Sequence, residues 1–191
     1  MKTFALTLLL ALSLPVLAKV GEVVPQDILP KTWIVGTAPQ TWPTDQIYLF
    51  ECWASWCKPC LSAIPHMEEM WQQVKGEGFR FVGVNVGDRK TPEELKEFLS
   101  RQPVPPTYAM SIDEGNRFAN AMGVRGIPQA YAVCNGKVIW QGHPASLTVE
   151  KVRSWKTTAV APAVAPEATR PAAPENAPKA NRGMRRWLKR N

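Results

Sequence analysis

The sequence predicts an α/β fold: a central mixed β-sheet flanked by helices, with an extra helix and strand inserted midway. Three observations carry this. Short apolar runs rich in aromatic and β-branched residues alternate with stretches whose apolar residues recur at threes and fours. A hairpin signal, Asn135-Gly136 between two apolar runs, follows that alternation, and a last helical stretch closes it. Composition then breaks near Thr158, which confines the alternation to one domain's worth of chain.

Taken in order, residues 31–35 are a short edge-strand candidate, and Pro39 and Pro43 mark a loop. Residues 47–53, Ile47-Tyr48-Leu49-Phe50-Glu51-Cys52-Trp53, have the aliphatic and aromatic character of a buried strand. From 60 to 75, Leu61, Ile64, Met67, Met70 or Trp71, and Val74 mark one face of a helix. Pro65 is expected to kink that helix near Leu61, and Gly76-Glu77-Gly78 stops it. Residues 79–86 form the next strand. Thr91-Pro92-Glu93-Glu94 starts a helix, with Thr as N-cap, Pro in the first turn and Glu three residues on; it runs to about Ser100 and is broken by Pro103, Pro105 and Pro106. Residues 107–112 are a strand and 116–122 a short helix. Residues 129–134 and 137–141 are the arms of the hairpin, and 147–155 is the closing helix.

Both ends differ from this body. Residues 1–18 read as an export signal: Lys2 is basic, residues 4–14 are an apolar stretch too short to span a bilayer well, and Val16-Leu17-Ala18 is a small-residue cleavage site. An uncleaved anchor is the alternative. Export places the domain, residues 19–158, in an oxidising compartment. Residues 159–191 are an Ala/Pro-rich linker with a basic end, without the large apolar residues that would repay ordering. The formal net charge is +7, yet the tail holds seven basic against two acidic residues and Lys2 adds one more. The folded body is therefore close to neutral, which does not suggest an acidic substrate, and no nucleic-acid partner is expected. The basic end, with Trp187 and Leu188, is either a solvated tail or a contact for anionic lipid or an acidic partner.

Chemistry concentrates at Trp56-Cys57-Lys58-Pro59-Cys60. Two cysteines two residues apart, between a strand and a helix, suit thiol–disulfide exchange. The first falls at a helix N-terminus, where backbone N–H groups and the dipole favour a thiolate; the second can resolve a mixed disulfide. Half of a zinc site and a purely structural disulfide are the alternatives. Zinc wants four ligands at short spacings, and Cys52, Cys134, His66 and His143 are not so spaced. No His or Met cluster accompanies the pair to suggest copper, so neither metal nor cofactor is expected.

The run Trp53-Ala54-Ser55-Trp56-Cys57-Lys58-Pro59-Cys60, followed by Gly123-Val124-Arg125-Gly126-Ile127-Pro128, resembles the thioredoxin superfamily. The export signal and the helix and strand between Gly87 and Ile112 resemble its TlpA-like branch; the likeness covers about residues 20–155. It implies a thioredoxin fold and a cis peptide before Pro128, with the backbone of Ile127 beside Cys57. It also implies a buried acid at Glu51 that relays a proton to or from Cys60. Read from the strand alone, Glu51 is either such a buried carboxyl or an exposed edge residue. In the cytochrome-maturation members a Glu often stands three residues after the second cysteine. Here that place is Ala63, which argues against a haem-apoprotein role.

The residues expected at the site are thus Cys57 as nucleophile, Cys60 as resolving thiol and Glu51 as proton relay, with Trp56, Lys58, Pro59, Ile127 and Pro128 bordering the substrate. Lys58 either favours the thiolate or is simply an exposed helix residue. Trp53 is expected in the core and Gln129 beside the groove; Arg125 is taken as surface charge. Cys52 is expected buried and unpaired, because antiparallel pairing near Pro128 leaves Cys134 too far along its strand. The expected function is extracytoplasmic, periplasmic thiol–disulfide exchange with exported proteins, in the reducing direction and supplied by a membrane thiol–disulfide donor. The same residues would serve a dithiol oxidase; a tethered, redox-inert adaptor is a reading of another class.

Overall fold

A computed structural model of the protein describes residues 20–37 and 46–159. The export signal over 1–18, the loop at Pro39 and Pro43, and the linker and basic end beyond α4 lie outside the described residues.

The elements are β1 (Thr32–Val35), β2 (Ile47–Trp53), α1 (Lys58–Val74), β3 (Phe79–Asn85), α2 (Pro92–Ser100), β4 (Ala109–Ile112), α3 (Arg117–Met122), β5 (Gln129–Cys134), β6 (Lys137–Gly142) and α4 (Val149–Ala159). One six-stranded sheet runs in the order β1-β4-β3-β2-β5-β6. β2, β3 and β4 are parallel; β5, β6 and β1 pair antiparallel to their neighbours. This is the expected mixed sheet, and the thioredoxin fold, with α2 and β4 as the inserted helix and strand.

β2 sits between β3 and β5, and all seven of its residues are buried. Alternation sends Ile47, Leu49 and Trp53 to a cluster with Cys60, Ile64 and Met67 of α1, Leu95 of α2 and Trp155 of α4. It sends Tyr48, Phe50 and Cys52 to the other face, against Phe118 and Met122 of α3. A strand covered on both faces must be apolar at every position, which explains its unbroken hydrophobic run.

Boundaries moved where side chains compete with the ladder. The predicted strand over 107–112 begins only at Ala109, because the N–H and hydroxyl of Thr107 donate to Glu68 of α1, both at 2.7 Å. The closing helix starts two residues late and runs on to Ala159. Pro65 lies inside α1, where the chain stays helical from Lys58 to Val74. One pairing was not anticipated: residues 21–24 bond along the outer edge of β6, through Gly21 N–H to Val138 O, Val138 N–H to Glu22 O, and Val24 N–H to Gly136 O. That cover leaves the first half of β6 without free edge groups.

The predicted start of α2 is a full capping box. The Thr91 hydroxyl accepts from Glu94 N–H at 3.2 Å, and the Glu94 carboxylate accepts from Thr91 N–H at 2.8 Å. Thr91→Ala should lower stability by about 1 kcal/mol, read as a shift in the urea midpoint, and leave thiol chemistry unchanged. An unmoved midpoint would mean that the insertion does not depend on this cap.

Candidate active site

Trp53 ends β2, and the chain turns through residues 54–56 into α1. Cys57 is the N-cap of that helix, and its Sγ accepts from Cys60 N–H at 3.3 Å. Both Cys57 and Cys60 are buried, at 5% and 0% exposure, and a disulfide joins them. Lys58 and Pro59 are exposed, Pro59 in the first helical turn where an N–H is not required. Leu61 N–H donates to Cys57 O, so the cysteine is tied into the helix start from both its side chain and its backbone.

The turn before it is fixed by Asp88. Its carboxylate accepts from Ser55 N–H at 2.8 Å and from the Asn85 amide at 3.4 Å. Partial burial opposes its ionisation, but the hydrogen bonds from Ser55, Asn85 and Lys90 outweigh that and hold the carboxyl below its ordinary range. Trp56 is 63% exposed, with its indole N–H donating to Gly87 O at 3.3 Å. It stands as an apolar plate beside Cys57. Trp53, by contrast, is fully buried, as expected.

Antiparallel pairing of β5 with β2 brings the loop ahead of Gln129 to the same end of the sheet. The Ile127–Pro128 peptide is cis, and the Ile127 carbonyl oxygen lies 3.9 Å from Cys57 Sγ. Beside it opens a cavity of about 640 Å³, lined by Pro59, Arg125, Ile127, Pro128, Gln129 and Tyr131 among others. Gln129 was expected there. Arg125, taken as plain surface charge, is exposed but borders the cavity.

Glu51 is the one carboxyl within β2 and is fully buried. It shares the face of Leu49 and Trp53, beneath α1, and its register partners are Ala130 and Gly83, the latter covered by Met110 and Trp53. Its Oε2 accepts from the Tyr108 hydroxyl at 3.1 Å; Oε1 has no hydrogen-bond partner among the described residues. Burial pushes its carboxyl up to about 8, against the pull of that hydrogen bond, which favours the charged form. The edge-strand alternative is therefore closed.

The remaining candidates separate cleanly. Cys52 and Cys134 are free thiols on opposite faces of the sheet, and their register partners, Gln129 and Ile47, place them five residues apart along the ladder. Burial raises both thiols, and for Cys52 the charges of Asp113 and Glu51 add to it. His66 sits against Leu147 O at 3.0 Å, and His143 Nδ1 accepts from Ala145 N–H. Sequence reasoning missed Tyr108, Glu68 and Asp88. Each acts on a partner more than thirty residues away, beyond the reach of any local pattern.

Residues 28–141 match the AhpC/TSA family, which is thioredoxin-like. The chain belongs to the AhpC/TSA family. Within its thioredoxin-like relatives, the thiol-disulfide oxidoreductase ResA of Geobacillus thermodenitrificans is 33% identical over 87 residues, which is 45% of this chain and 48% of that one. The thiol:disulfide interchange protein HelX of Rhodobacter capsulatus is 34% identical over 88 residues, 46% of each chain. The chain thus spans about half the length of the curated relatives it matches. Among solved structures, a protein from Chlorobium tepidum provisionally assigned as a thiol:disulfide interchange protein DsbE is 26% identical, covers 74% of this chain and 98% of its own, and superposes with a TM-score of 0.54. StoA of Bacillus subtilis, 19% identical with a TM-score of 0.50, covers 60% of this chain and 84% of its own and shares the fold. The AhpC/TSA match and these neighbours agree with the thioredoxin-like, TlpA-like character expected from the paired motifs.

The buried carboxyl makes stability depend on pH. Folded, Glu51 keeps its proton up to about pH 8; unfolded, it releases it near the ordinary 4.5. The native state therefore binds more protons in that window, and stability falls as pH rises through it. In oxidised protein, where the Cys57–Cys60 pair does not titrate, the urea midpoint should drop between about pH 5 and pH 8. Glu51→Gln should flatten that drop; equal slopes in the two proteins would mean that the carboxyl ionises as easily folded as unfolded.

Proposed function

We propose that this protein is an extracytoplasmic thiol–disulfide oxidoreductase that reduces disulfides in exported proteins through the Cys57–Cys60 pair. The observation that carries the reading is Cys57 at the N-cap of α1, bonded to Cys60 and facing the Ile127 carbonyl beside an open cavity. The likeness to the thiol-disulfide oxidoreductase ResA and the thiol:disulfide interchange protein HelX supports it, as does the leader-like sequence over 1–18 for location.

In the reduced protein, Cys57 thiolate attacks one sulfur of a client disulfide. The new bond is Cys57–client, and the other client sulfur leaves as thiolate. Trp56 offers an apolar surface to the client, and Ile127 and Pro128 line its path; Pro59 and Lys58 edge the same approach. In the fraction of molecules whose Glu51 is ionised, a fraction that grows as pH approaches 8, Cys60 gives its proton to that carboxylate and attacks Cys57 Sγ. The Cys57–Cys60 bond forms, the client's second sulfur leaves, and the client has gained two electrons. A membrane thiol–disulfide donor restores the dithiol, because an oxidising compartment does not. The basic tail would keep the protein near anionic lipid.

Cys57→Ser should abolish insulin reduction, while Cys60→Ser should accumulate a mixed disulfide on a non-reducing gel. Near-normal turnover in Cys57→Ser would remove the nucleophile from the scheme. Direction is decided by the reduction potential: a value near about −270 mV marks a reductase, and one near about −120 mV a disulfide donor. Truncation after Thr158 should leave insulin reduction intact and abolish any salt-sensitive binding to anionic vesicles. Loss of reduction on truncation would place the tail within the working domain.

A further inference from the structure

Glu51 has a neighbour for which the exchange scheme has so far found no use. Tyr108, immediately before β4 and 1% exposed, donates its phenol hydrogen to Glu51 Oε2 at 3.1 Å. Oε1 of the same carboxyl is buried and unpartnered. The two oxygens are therefore unequal: one is engaged, the other open.

We propose that Tyr108 is a positioning residue for disulfide exchange, whose hydroxyl holds the Glu51 carboxylate so that Oε1 receives the Cys60 proton. This rests on Glu51 being the proton acceptor in the resolving step.

Tyr108 is referenced to the helix that carries the dithiol. Glu68, in the middle of α1, accepts from the backbone N–H and the hydroxyl of Thr107, each at 2.7 Å. The residue before Tyr108 is thus bound to the element whose first turn holds Cys60. The Tyr108 ring packs edge-on against Phe81, with centroids 6.3 Å apart, which leaves the hydroxyl as its only polar end. Glu51 faces Gly83 and Ala130 across the ladder, so neither neighbouring strand puts a polar side chain in its way.

The chemistry needs such a donor. A carboxyl closed in apolar surroundings holds its proton and cannot accept another. A phenol hydrogen bond favours the anion, so a larger fraction of Glu51 is ionised and able to take a proton, without an added charge. Among the described residues, the other ionisable groups that interact with Glu51 or Tyr108 are Cys52 on the opposite face of β2 and Glu68 from α1. Both would add negative charge, so neither can take over the role of the phenol. The step stays balanced: the Cys60 proton moves to Oε1, Cys60 Sγ bonds Cys57 Sγ, and the client thiolate departs with the electron pair of the broken bond.

Tyr108→Phe keeps the ring and removes the hydroxyl. In reduced full-length protein, Glu51 protonation can be followed by the infrared carbonyl band of its neutral carboxyl, identified by its loss in Glu51→Gln. The rate of mixed-disulfide resolution is measured on the same samples across pH with a peptide disulfide. The expected result is a band midpoint about one pH unit higher and resolution about tenfold slower on the acid side, with the initial Cys57 attack unchanged. Fluorotyrosine at 108, a stronger donor of the same shape, should move both the other way, and it keeps the test alive if the Phe variant fails to fold. A band and an acid limb that ignore both replacements overturn the proposal. A band that moves while the rate profile does not overturns Glu51 as proton acceptor and leaves the Tyr108–Glu51 pair standing.

Discussion

Burial of β2 on both faces and pairing along both edges is the constraint from which the rest follows. A strand so enclosed ends where its helix can begin, and the exit from Trp53 into the N-cap at Cys57 sets that sulfur at the rim of the sheet. The parallel partner β3 supplies, just past its end, the Asp88 that holds the turn. The antiparallel partner β5 begins at that same rim, and so delivers Ile127 and Pro128 to the sulfur. Residues seventy positions apart meet because one ladder is in register.

Local chemistry made much of this legible in the sequence. The strand over 47–53, the helix after it, the capping box at Thr91 and the Asn135-Gly136 hairpin each carry a short-range signal, and the elements stand there. Cys57, Cys60 and Pro128 were legible for the same reason: each belongs to a compact motif. What local pattern could not supply was competition and long-range pairing. Thr107 looked like strand, but a carboxylate on α1 claims its N–H. Residues 21–24 carry too short a pattern to announce that they would clip onto β6. Glu51 stood out as a charge in an apolar run, yet its partner Tyr108 is hidden in an ordinary-looking strand start. Only the sheet order places the two together.

The carboxyl in β2 also shows what a site asks of its scaffold. Removing a carboxyl from water costs free energy whether it is neutral or charged, and one of its oxygens stays without a partner. An apolar residue there would serve the core better. The surroundings limit the cost: a phenol meets one oxygen. Such a local defect, kept where chemistry is expected, is the usual form of the trade between stability and activity.

Cys52 and Cys134 are buried on opposite faces of the sheet, Cys134 in the apolar cluster that also holds Cys57 and Cys60 and Cys52 in the other. The sheet between them works as insulation. Two spare thiols in one chain could otherwise cross-link to each other. Here no rotation of side chains can bring the two spare thiols together, because the backbone of β2 and β5 would have to part first. Neither forms a thiolate readily. The chain can therefore carry two free thiols beside its one disulfide without their closing on each other.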